Sequence, residues 1–112
     1  MKLRVFLLLL VLGTFCRETF SSPIRVLFLG HESKHHNSNE YYPILSQALG
    51  RDAIYFDYVT SVGRALDNAE YLNRFDALLL YANHPRITSD QWKNLLDFVK
   101  GGKGFVPVHC AS

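Results

Sequence analysis

Five histidines could carry proton or ligand chemistry in this chain, and they fall in three short polar stretches. The first is Gly30-His31-Glu32-Ser33-Lys34-His35-His36-Asn37, the second Asn83-His84-Pro85-Arg86, the third His109-Cys110-Ala111-Ser112. Each follows an apolar run. Imidazole is both a common metal ligand and the usual proton shuttle near neutral pH, so the grouping defines where to look. His109 is the preferred acid/base or ligand residue, because a strand-to-helix turn would aim its side chain into a crevice. His31, directly after a strand-ending glycine, is a candidate substrate contact together with Asn83, His84 and Cys110.

Plainer roles stand beside these. His35 and His36 are adjacent in a polar loop, where a solvated side chain is the ordinary outcome. His84 precedes Pro85 and could simply cap the approach to the next helix. Glu32 and Asp57 read as surface charges. His31, His35, His109 and Cys110 are donor types that zinc accepts, but no compact spacing specifies a ligand set. No metal site is assigned, and no cofactor is specified. Phosphate binding has little support, since Gly30 stands alone without a dinucleotide or Walker pattern. Gly101-Gly102-Lys103-Gly104 leads into a strand rather than out of one, which suits a helix stop and tight turn.

The elements that must position these residues are legible. Apolar runs at 24–29, 53–59, 76–82 and 104–108 read as strands, the first and third nearly continuous, as in a parallel sheet covered on both faces. Trp92, Leu95, Leu96 and Val99 repeat at helical spacing and predict a helix over 89–100 with those residues inward. Thr88 with Gln91 forms a capping box for it, and Gly101-Gly102 ends it. A second helix is expected over 39–49, with Tyr41, Ile44, Leu45, Ala48 and Leu49 inward, Gly50 as its stop and Pro43 in its first turn. Ala65, Leu66, Ala69 and Leu72 suggest one or two short helical turns within 61–74. This alternation predicts an α/β doubly wound parallel sheet, with all the histidines at the carboxyl edge, where such sheets bind ligands.

Composition narrows the function classes. The 112 residues are 48% apolar and 20% charged, which excludes a disordered chain. From Pro23 onward there are nine basic and nine acidic residues, so the net charge of +2 belongs to the leader. A neutral body without a basic run argues against nucleic acid as a partner. Lys2 and Arg4, then an apolar run at 5–12 and Gly13, have the layout of a secretory signal peptide. That run is well short of the ~20 residues needed to cross a bilayer. The expectation is a leader over 1–22, export to the periplasm or outside the cell, no stable membrane span, and a body over 23–112. Removing the leader at or after Cys16 leaves Cys110 without an internal disulfide partner. A parallel strand at 104–108 with nothing to cover it suggests the amino-terminal part of a larger domain, with the sheet cut off after its fourth strand.

Three segments carry a family resemblance. Residues 24–31 (Ile-Arg-Val-Leu-Phe-Leu-Gly-His), 75–81 (Phe-Asp-Ala-Leu-Leu-Leu-Tyr) and 102–112 resemble the ThuA-like (trehalose-utilisation) family of the class I glutamine amidotransferase-like superfamily. The Gly-Gly-x-Gly-Phe-Val-x-Val-His element ending at His109 is the most specific part. The resemblance covers 24–112 and would be the amino-terminal half of such a domain. It implies a flavodoxin-like sheet and a role in carbohydrate metabolism, with a sugar or an oxidised sugar as the small-molecule partner, and further domains in a longer exported chain. A non-catalytic ligand-binding or scaffold module is the second reading. A cysteine hydrolase or amidotransferase using Cys110 is the third. In that superfamily the nucleophilic Cys sits at the tight turn where this chain has His109, and Cys110 is one step on, which aims the thiol elsewhere. Pro107 stands where glycine is frequent and lacks the N–H of a central strand, so an irregular backbone is expected there.

Overall fold

The computed structural model describes residues 21–108. His109, Cys110 and nearly all of the expected leader lie outside the described residues. The strand β1 (Ile24–Gly30) occupies the middle of a four-stranded parallel sheet. Its Val26, Leu27, Phe28 and Leu29 are all buried, as a strand covered on both faces requires. On one side β1 pairs with β4 (Ile54–Val59), on the other with β5 (Ala77–Tyr81), which in turn pairs with β6 (Gly104–Pro107). The order is β4-β1-β5-β6, with β2 (Glu32–Ser33) and β3 (His36–Asn37) forming a separate antiparallel ladder. This is the α/β doubly wound parallel arrangement expected from the hydrophobic pattern.

Side chains alternate along β1 and so build two cores. Leu27 and Leu29 join Ala65 and Leu66 of α2 (Val62–Leu66), Leu72 of α3 (Ala69–Leu72), and Leu95 and Phe98 of α4 (Ser89–Lys100). Val26 and Phe28 join Phe56 on the opposite face, with Tyr42, Leu45 and Leu49 of α1 (Ser38–Gly50) packed on them. Phe28 meets the rings of Tyr42, Phe56 and Tyr58 edge-on. One helix therefore covers one face and three cover the other.

Both long helices are rotated from the faces expected of them. In α4 the buried stripe is Gln91, Leu95 and Phe98, while Trp92 is 51% exposed and Val99 is also exposed. The cause is Gln91, which is held both by the cap and by a distant carboxylate. Gln91 Oε1 accepts from the Thr88 N–H at 2.9 Å, and its Nε2 donates to Asp67 Oδ1 at 2.6 Å, which pins that polar side chain inward. Asn94 Nδ2, donating to the Leu66 carbonyl at 2.8 Å, ties the same face to the end of α2. In α1 the inward residues are Tyr42, Leu45 and Leu49; Tyr41, Ile44 and Ala48 are exposed. The helix begins at Ser38, so Pro43 lies beyond the first turn. The backbone bond Pro43 cannot make points to Asn39, and both residues are exposed, which keeps that loss on the solvent side.

Pro107 belongs to β6 rather than interrupting it. Gly104 N donates to the Asp76 carbonyl and Val108 N to the Leu80 carbonyl, each at 2.9 Å. Amides alternate along a strand, so the nitrogen of Pro107 faces away from β5 and the ladder loses nothing. Gly104 is needed for close approach, since a Cβ there would stand 2.9 Å from that of Ala77.

Candidate functional site

The sheet order places a crevice between β1 and β5. The chain leaves β1 through α1 on one face and returns to β5 through α2 and α3 on the other, so the connections diverge where these two strands lie side by side. Ligands in open α/β sheets bind at such a switch point, outside the carboxyl ends of the strands. His31 follows β1 and His84 follows β5 by three residues.

The structure brings these two together. Their rings lie 4.8 Å apart, tilted by 46°. His84 Nε2 is 3.1 Å from the Gly30 carbonyl oxygen. A carbonyl only accepts, so Nε2 carries the hydrogen, and in the neutral ring Nδ1 is left as the acceptor. One bond thus laces the two strand ends and sets a tautomer suited to receive a ligand hydroxyl. Nδ1 of His31 is buried and has no hydrogen-bond partner among the described residues, an arrangement that costs about 1–3 kcal/mol in a packed interior.

His31 is held by a residue that sequence reasoning missed. Ser38 is fully buried, and its Oγ accepts from the His31 N–H at 2.8 Å and donates to the His31 carbonyl at 3.0 Å. Tyr58 Oη lies 2.7 Å from the same oxygen and donates to Asn39 Oδ1 at 2.6 Å. Ser38 closes a loop of seven residues, within which β2 and β3 turn about Lys34 and His35, both exposed. The polar stretch after β1 is therefore a small hairpin, with His36 in β3. A serine at the start of a helical pattern is the one local signal that could have marked this buckle.

Asn83 and His84 line a groove of about 510 Å³ on the α4 side, together with Arg86, Ile87, Trp92 and Pro107. Its deeper wall is apolar, from Leu29, Leu66, Leu78 and Leu95. Arg86 and Trp92 were not anticipated as site residues. Trp92 had the spacing of a core residue, and only the rotation of α4 turns it to the groove. His31 is not in the lining; it backs His84. A second cavity of about 370 Å³ lies on the α1 face and is walled by apolar side chains, including Tyr41, Ile44 and Tyr81. Among the described residues no three His, Cys, Asp or Glu side chains converge as metal ligands, and no helix is long and apolar enough to cross a membrane.

No family model and no curated protein matches the chain. Among solved structures, the crystal structure of a "putative thua-like protein" from Bacteroides uniformis ATCC 8492 matches with a TM-score of 0.63 at 14% identity. The match covers 81% of this chain and 38% of that one. At this identity the likeness concerns the path of the backbone. The chain has an α/β fold like that of a ThuA-like protein over somewhat more than a third of that protein's length.

Proposed function

We propose that the chain is part of an exported carbohydrate-handling protein of ThuA-like type, and that it binds or transforms a sugar or sugar derivative at the carboxyl edge of its sheet. The observation that carries this reading is one groove at the β1/β5 switch point, lined by Asn83, His84 and the exposed face of Trp92. Sugar rings present apolar C–H faces and a girdle of hydroxyls. An indole supplies a flat apolar surface, while an amide and an imidazole supply donors and acceptors for hydroxyls. His31 supports the imidazole of His84 from behind. His109, the acid/base candidate read from the sequence, and Cys110, next to it in the chain, lie outside the described residues. Export rests on the signal-like layout of residues 1–22.

Calorimetric titration of the full chain with trehalose and glucose tests this, using His84→Ala and His31→Ala beside the unaltered protein. Measurable binding is expected that falls about tenfold or more in His84→Ala, the loss of one hydrogen bond to a ligand hydroxyl being worth about that much, and by less in His31→Ala, which removes only the support behind His84. Binding that is unchanged in both variants would remove the groove from consideration.

A further inference from the structure

We propose that the groove takes a sugar bearing a carboxylate, with Arg86 as the group that recognises the acid. This rests on the sugar-binding reading above and adds the ligand's charge. Among the described residues Arg86 is the only formally charged side chain lining the groove, and no Asp or Glu lines it. It forms no ion pair with any described carboxylate, including Asp90 four residues on and Glu40 in the first turn of α1. The ion pairs among the described residues are Arg25 with Asp57 and Lys93 with Asp97. Arg86 also donates no hydrogen bond to another described residue, unlike Arg25, whose guanidinium is committed to Asp57 at 3.1 Å.

The Arg86 guanidinium lines the groove beside the amide and imidazole suited to sugar hydroxyls and against an apolar wall. The planar fork of arginine matches a carboxylate with two parallel N–H···O bonds. A phosphate dianion fits less well. Among the described residues no second formally charged cation lines the groove, and no glycine of a glycine-rich loop does. Glucuronate and similar sugar acids combine one carboxylate with a hydroxylated ring, so Arg86 would hold the acid while Asn83, His84 and Trp92 hold the ring.

Titration calorimetry of the full chain with glucuronate, glucose and glucose 6-phosphate decides the matter, with Arg86→Gln beside the unaltered protein and circular dichroism confirming that the variant folds. Glucuronate is expected to bind about ten- to a hundredfold tighter than glucose, the range for a hydrogen bond to a charged group. In R86Q the ratio of glucuronate to glucose affinity should fall to about one. Equal affinity for glucuronate and glucose, an undiminished preference in R86Q, or a preference for glucose 6-phosphate would each overturn the carboxylate assignment and leave sugar binding standing. Failure of all three ligands to bind would overturn both.

Discussion

Ser38 Oγ is bonded to both backbone groups of His31, receiving its N–H at 2.8 Å and donating to its carbonyl at 3.0 Å. A helix start thereby fixes the residue that follows the central strand, and that residue's ring in turn lies 4.8 Å from the ring of His84.

Replacing Ser38 with alanine leaves the half-buried His31 N–H short of a partner. A loss of about 1–3 kcal/mol in urea unfolding is expected. Tyr58→Phe shares the same hydroxyl pair, so the double variant should cost less than the two single losses added together. Strict additivity would show that the two hydroxyls do not act as one unit.

Gly30→Ala should be as damaging for a different reason. A Cβ at Gly30 would collide with Ser38 Oγ and stand 2.6 Å from Tyr58 Cε2. Both neighbours are held by hydrogen bonds, so neither can retreat without breaking the buckle on His31. Overpacking of this kind costs about 1–3 kcal/mol. The variant should melt lower and also bind sugar more weakly; a melting temperature equal to that of the unaltered chain would count against the close packing.

Two aromatic residues of α4 separate stability from binding. Phe98 is 1% exposed and Trp92 is 51% exposed. Phe98→Ala should lose about 3–5 kcal/mol of stability, whereas Trp92→Ala should stay within about 0.5 kcal/mol and lose sugar affinity instead. Chemical denaturation and calorimetry on both variants check this, and a reversed pattern would restore Trp92 to the core.

Lys93 Nζ lies 2.6 Å from Asp97 Oδ2, and the hydrogen bond and the charge attraction together hold the Asp97 carboxyl below its ordinary pKa and the Lys93 ammonium above its own. A depressed carboxyl pKa gives stability that is present above its unfolded value and lost as pH falls through the folded one. A raised ammonium pKa gives stability that is lost as pH rises through the folded value. Both side chains are exposed, so the effect is small and screened by salt. The difference in melting temperature between the unaltered chain and Lys93→Met should be greatest between those limits at low salt and close at either extreme of pH. A difference independent of pH would mean that the pairing contributes nothing.

Period and punctuation were enough to read the sheet from sequence. Continuous apolar runs marked β1 and β5 as strands buried on both faces, Thr88 with Gln91 marked the start of α4, and the βα alternation implied parallel strands. The polar stretches after β1 and β5 were recognisable as loops at one edge, which is why His31, Asn83 and His84 could be named as candidates. Those signals are local: each depends on neighbours a few residues away along the chain.

The rest was decided by contacts between distant segments. Which stripe of α4 faces inward depends on Gln91 finding Asp67, twenty-four residues earlier. Ser38, at the start of α1, finds its hydroxyl partner in Tyr58 of β4, twenty residues on. The meeting of His31 with His84, and the place of Arg86 beside them, depends on β5 pairing directly with β1. Hydrophobic spacing fixes that a helix has an inner face to within roughly one residue of rotation, because neighbouring apolar stripes overlap at 3.6 residues per turn. The choice between them belongs to the polar groups that must find partners when buried, and those partners exist only once the chain has folded.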